Sequence, residues 1–123
     1  MDSYITRCSE AVALDILQHP SVVAPLGMYA EGLVADFEWW LVDDKLLLAL
    51  KPDGSGVEAH IACKFRDRAY VRGSMKNSLE WLKSRKFRVV WTTAPEGRKA
   101  LLNMLLSLNF IRTGENRWEL KLQ

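Results

Sequence analysis

With 123 residues, 49% of them hydrophobic and 26% charged, the chain is long enough to bury one core and ordinary enough in composition to be a single globular domain spanning 1–123. A net charge of +2 is too small to demand a polyanionic partner, and no stacking series of aromatics interleaves the basic residues, so no nucleic-acid role is expected. No apolar run approaches the ~20 residues that span a bilayer, and MDSYITRCSE lacks the basic-then-apolar layout of a signal peptide, so no membrane role is expected and the expected location is the cytoplasm.

Residues 8–17 place Cys8, Val12, Ala13, Ile16 and Leu17 on one face at helical spacing, with Ser9 as the candidate cap and His19-Pro20 as the stop. Ser21–Asp36 contains Pro25, Gly27 and Gly32, has no clear period, and reads as loop, with a short helix within it as the alternative. Phe37–Val42 and Lys45–Leu50 read as two strands of a hairpin turning at Asp43-Asp44. The adjacent Trp39 and Trp40 must then point to opposite faces. The segment 51–56, KPDGSG, is a turn leading into a strand at Val57–Phe65. A helix follows Arg68 with Met75, Leu79 and Leu82 on its inner face, and Phe87–Thr93 is a β-rich strand. Gly97–Leu108 is a helix whose only polar stripe is Lys99, Asn103 and Ser107, which predicts cover on nearly all sides. Phe110–Thr113 and Arg117–Leu122 close the chain as a hairpin around Gly114. The fold class expected is α/β (α+β): a mixed, mostly antiparallel sheet with one central parallel pair, made by the crossover from Val57–Phe65 to Phe87–Thr93, flanked by helices.

Within this frame the chemistry-bearing residues gather near the crossover. Glu58 and His60 alternate along the central strand and share one face, where either could deprotonate an amine; a solvated carboxylate beside a packing histidine is the other reading. Lys64, Arg66, Arg68, Arg72 and Lys76 surround the turn that opens the helix, where arginine forks and free amides suit phosphate, or where the charges are simply solvated. Cys8 and Cys63 read as reduced thiols. The two cysteines and two histidines lack zinc-like spacing, so no metal site is expected.

The element order, together with Leu17-Gln-His-Pro-Ser-Val22, Glu58-Ala-His-Ile61, Arg66-Asp-Arg-Ala69, Pro95-Glu-Gly-Arg-Lys-Ala100 and Asn109-Phe110, resembles the GNAT acyltransferases over most of the chain. It is most similar to the small acetyltransferase-like proteins of tailed phages, some labelled as head-assembly proteins. The resemblance implies an N-acetyltransferase that binds acetyl-CoA in the splay between the two parallel strands. The backbone at Ile61 and Cys63 would face the thioester, and the pyrophosphate would lie on Arg66, Arg68, Ala69, Tyr70 and Val71. Glu58 or His60, directly or through water, would then deprotonate the acceptor amine. Where the family turn reads Q/R-x-x-G-x-G/A, this chain has Arg66, Ala69 and Val71, so both glycines are absent. Where many members carry a general-acid tyrosine, this chain has Met104 or Leu105, and where the family has Gly-Phe after that helix it has Asn109-Phe110, asparagine also accepting left-handed torsions. These departures imply the alternative, a catalytically silent protein with a protein partner in phage head assembly or in the virion. An exposed apolar patch near Trp39, Trp40 or the closing hairpin would suit that alternative.

Overall fold

Asp43 and Asp44 both adopt positive φ, 52° and 59°, left-handed torsions of the kind that tight hairpin connections use. That turn joins β2 (Glu38–Val42) to β3 (Leu46–Asp53), with Val42 opposite Leu46. The computed structural model describes residues 5–18, 36–44, 46–63, 68–94 and 96–123, with Cys63 and residues 68–70 described through their backbone. The other elements are β1 (Ile5–Arg7), α1 (Glu10–Leu17), β4 (Gly56–Cys63), α2 (Arg68–Ser84), β5 (Val89–Thr93), α3 (Lys99–Ser107), β6 (Ile111–Arg112) and β7 (Arg117–Lys121).

The described strands form one sheet in the order β1-β2-β3-β4-β5-β7-β6, antiparallel throughout except for the parallel pair β4–β5. The expected fold class is therefore observed, and with it the central crossover through α2. The middle of the sheet explains the uninterrupted apolar run of β3. Leu46, Leu48 and Leu50 enter one core and Leu47 and Ala49 the other, so both faces of this strand are dry. On one side α1 contributes Ala13, Ile16 and Leu17 against Trp39, Leu47, Ala49 and Ala62. On the other, Met75, Leu79 and Leu82 of α2 and Leu105 of α3 cover Val42, Leu48, Val57, Val90 and Trp118.

Several local readings hold. Ser9 caps α1, its hydroxyl accepting from the Val12 amide at 3.2 Å. Trp39 and Trp40 do part company: Trp39 is buried under α1, while Trp40 meets Trp81 edge-on at 4.8 Å with the Arg85 guanidinium 5.1 Å above it. Asn109 takes φ 71° after α3, and the Phe110 amide reaches back to the Leu105 carbonyl at 3.0 Å, closing the helix as a glycine would. Cys8 is a free thiol. The loop reading of Ser21–Asp36 and the stop at His19-Pro20 lie outside the described residues, apart from Asp36.

Three expectations are corrected. Strand β1 has no counterpart in the sequence reading; three residues carry too little pattern, and the strand exists because β2 offers an edge that Ile5, Thr6 and Arg7 can pair with. The turn after β3 shrinks to Gly54-Ser55, because Lys51, Pro52 and Asp53 continue the strand opposite Glu58, Val57 and Gly56. Proline is tolerated there since β2 ends at Glu38, opposite Leu50, leaving that side of β3 an edge. Finally, α3 is not covered on nearly all sides: Leu106 is 57% exposed, and only the face carrying Leu105 is fully buried. No described helix is long and apolar enough to cross a membrane.

Candidate functional site

Strands β4 and β5 run side by side for three residue pairs: Gly56 with Val89, Val57 with Val90, and Glu58 with Trp91. Gly56 permits the close start, since a Cβ there would lie 3.0 Å from Cγ1 of Val89. Beyond Glu58 the strands part. β4 continues to Cys63 on β3 alone, while Thr92 and Thr93 stay with Trp118 and Arg117 of β7. The edge of β4 from Ala59 onward thus presents amides and carbonyls with no ladder partner on the β5 side, at the centre of the sheet rather than its rim.

Glu58 and His60 stand where the gap opens. They share a face, as their alternation requires, and Nε2 of His60 lies 2.6 Å from Oε2 of Glu58. The His60 side chain is 1% exposed and that of Glu58 18%, so the carboxylate is the member that reaches solvent and the imidazole stands behind it. Phe37 meets the imidazole edge-on at 5.8 Å and helps exclude water. Burial pushes the His60 pKa below its ordinary value of 6.5, opposed in part by the hydrogen bond to Glu58 and its charge. The neutral ring holds one proton, and Nε2 must carry it, because a lone pair 2.6 Å from a carboxylate oxygen would be repelled. Across the gap, Oγ1 of Thr92 lies 3.4 Å from Nδ1. The same face continues in register from Lys51 through Glu58 and Trp91 to Glu119, and the Arg117 guanidinium sits 4.1 Å over the Trp91 ring while its Nε is 3.2 Å from Glu119.

The residues expected to hold a cofactor divide by location. Arg66 lies outside the described residues, and Cys63, Arg68, Ala69 and Tyr70 are placed by their backbone alone. Arg68, Ala69, Tyr70 and Val71 are the first four residues of α2, the positions whose amides have no acceptor within a helix. The side chains of Ile61 and Val71 pack against the core, so any contact they make at the gap is through backbone. Arg72 and Lys76 are exposed on α2. Met104 or Leu105 matches the tyrosine common in the resembling family, and neither side chain carries an acidic proton; Leu105 is 1% exposed inside the core and Met104 is half-buried. Among the described residues no group of three His, Cys, Asp or Glu side chains could hold a metal. Thr92 was not singled out from the sequence. A threonine in a β-rich strand carries no signal of its own, and only the approach of the two strands brings it to His60.

No family model and no curated protein matches the sequence. Solved structures do match the fold. The ribosomal-protein-S18-alanine N-acetyltransferase from Escherichia coli superposes with a TM-score of 0.78 at 13% identity, covering 98% of this chain and 94% of its own. Spermidine N-acetyltransferase from Vibrio cholerae, in a dodecameric structure, gives 0.75 at 7% identity over 98% and 94%. The yncA protein from Salmonella typhimurium, solved with its cofactor acetyl-CoA, gives 0.66 at 11% identity over 100% and 95%. At these identities the likeness is one of architecture, and the chain has the fold of the GNAT N-acetyltransferases.

Proposed function

We propose that the protein is an acetyl-CoA-dependent N-acetyltransferase acting on an amine, with Glu58 and His60 as its proton-accepting pair. The observation that carries this reading is the hydrogen-bonded Glu58–His60 pair at the point where β4 and β5 part. Bound acetyl-CoA would supply an activated acetyl group. The backbone at Ile61 and Cys63, which has no ladder partner on the β5 side, and the first-turn amides of Arg68, Ala69, Tyr70 and Val71 fit such a ligand, one as a strand edge and the other as a phosphate-directed helix start. Arg66 and Arg68 would add charge to that turn. Glycine is not required for the amides to point outward at a helix start, and Val71 places its side chain in the core.

Glu58 is the solvent-reaching member and takes the proton from the incoming ammonium or amine. His60 orients the carboxylate through Nε2 and stays neutral because it is buried. Amides on the free edge of β4 donate to the carbonyl under attack. The acceptor amine is not identified by these residues.

The test is calorimetric titration with acetyl-CoA and with free CoA, repeated on an Arg66→Ala, Arg68→Ala double variant, followed by acetyl transfer to a panel of amines by wild type and by Glu58→Ala and His60→Ala. Micromolar binding that weakens in the arginine variant, with transfer lost in the Glu58 and His60 variants, is the expected result. Full transfer with both Glu58 and His60 replaced would sink the assignment of the pair. No binding at millimolar cofactor would favour a second reading, a catalytically silent phage accessory protein of head assembly or the virion. That reading draws on Leu105 and Met104 in place of a tyrosine and on Ile111 of the closing hairpin, which is 68% exposed. Trp39 and Trp40 do not contribute to it, one being buried and the other held edge-on against Trp81 beneath Arg85.

A further inference from the structure

Thr92 is the first residue of β5 beyond Trp91, its last neighbour paired to β4, and so the first to face the open gap. Its Oγ1 lies 3.4 Å from Nδ1 of His60, a residue 32 positions earlier on the opposite strand. With the ring proton on Nε2 and directed to Glu58, Nδ1 is a bare lone pair. His60 is 3% exposed, so bulk water does not reach that lone pair, and burying it without a donor would be costly. The fold itself does not ask for a hydroxyl at this position. Valine has the same shape and at least equal preference for a strand, yet the chain has threonine where a donor is wanted.

We propose that Thr92 is a positioning residue that donates its hydroxyl hydrogen across the splay to Nδ1 of His60, locking the neutral imidazole in the Nε2–H tautomer that holds Glu58. This rests on the reading of Glu58 and His60 as the proton-accepting pair, and it extends that pair to a third member on the neighbouring strand. Thr92 touches no reacting atom. Its effect on rate passes through the imidazole, whose other nitrogen fixes the carboxylate at 2.6 Å. A full-strength hydroxyl bond is shorter, about 2.8 Å, so the 3.4 Å link is a weak one and its removal is expected to slow turnover by a modest factor, roughly three- to tenfold.

The test uses the full chain, labelled with 15N, as wild type, Thr92→Val and Thr92→Ser. The sequence holds two histidines, and His60→Gln assigns which ring is which in long-range 1H–15N spectra. In wild type and Thr92→Ser, His60 is expected as the Nε2–H tautomer with Nδ1 shifted as a hydrogen-bonded lone pair. In Thr92→Val, Nδ1 moves to the position of a lone pair without a donor, or the ring averages between tautomers. Acetyl transfer follows the same order: kcat falls in Thr92→Val with KM for the acceptor unchanged, and the serine variant restores it. An Nδ1 resonance identical in Thr92→Val and wild type, or a wild-type ring protonated at Nδ1, overturns the proposal. Should circular dichroism show Thr92→Val unfolded, Thr92→Ala gives the same spectroscopic readout. If wild type transfers no acetyl group to any amine, the enzymatic reading falls, while the spectra still decide whether Thr92 sets the tautomer.

Discussion

Replacing His60 by glutamine tests the burial of the pair through the pH dependence of stability. His60 is held below its ordinary pKa of 6.5 in the folded protein, first by burial and against the opposing pull of Glu58. The unfolded chain therefore binds the proton more readily, and stability falls as pH drops below about 6.5 until the folded pKa is reached. For a group 1% exposed no solvent discount applies. Because the unfolded ring titrates near its ordinary 6.5, the linkage between pH 7.5 and 5.5 reaches at most about 1.4 kcal/mol, the limit in which the folded ring takes up no proton over that range. Glutamine cannot titrate yet keeps an amide donor for Glu58. Urea denaturation of both proteins at pH 7.5, 6.5 and 5.5 should show wild type losing more stability than His60→Gln. The excess appears as a midpoint shift of at most roughly 0.5–1.4 M at the slopes of about 1–3 kcal/mol/M usual for small domains in urea. Carboxylates that begin to titrate near pH 5.5 are common to both proteins and cancel in the difference. Parallel curves for the two proteins would refute the claim that His60 is buried neutral.

Glu58→Gln removes the carboxylate charge that raises the His60 pKa, so the His60 ring should titrate at still lower pH in that variant; an upward move by NMR would contradict the pairing. Leu48→Ala deletes a side chain at the centre of the sheet, 2% exposed, and should cost about 2–5 kcal/mol with an unchanged denaturant slope, whereas Leu106→Ser on the open side of α3 should stay within about 0.5 kcal/mol. Lys86 takes φ 73° just after α2, where the Phe87 amide returns to the Leu82 carbonyl, so Lys86→Gly should raise stability by about 1 kcal/mol in thermal or urea unfolding.

Much of the architecture is legible in the sequence because it is written in local chemistry. The Asp43-Asp44 turn, the Ser9 cap, the left-handed Asn109 and the period-2 alternation that puts Glu58 beside His60 depend on neighbours a few residues away. The apolar run of β3 likewise announced a strand, although neither its burial on both faces nor its continuation through Pro52 followed, because these depend on what packs on the sheet and on where β2 stops. Tertiary structure decided the rest, since those features are relations between distant segments. β1 exists only as an edge partner of β2, and the exposure of Leu106 follows from which side of α3 meets the sheet. The gap itself arises because β4 keeps β3 to Cys63 while Thr92 and Thr93 keep β7, a divergence that no window of sequence records. Sequence alone determined that a carboxylate and an imidazole would share a face. Only the parting of two strands joined through α2 made one of them solvent-reaching, buried the other and set Thr92 at its second nitrogen, because burial and cross-strand contact are properties of packing rather than of spacing.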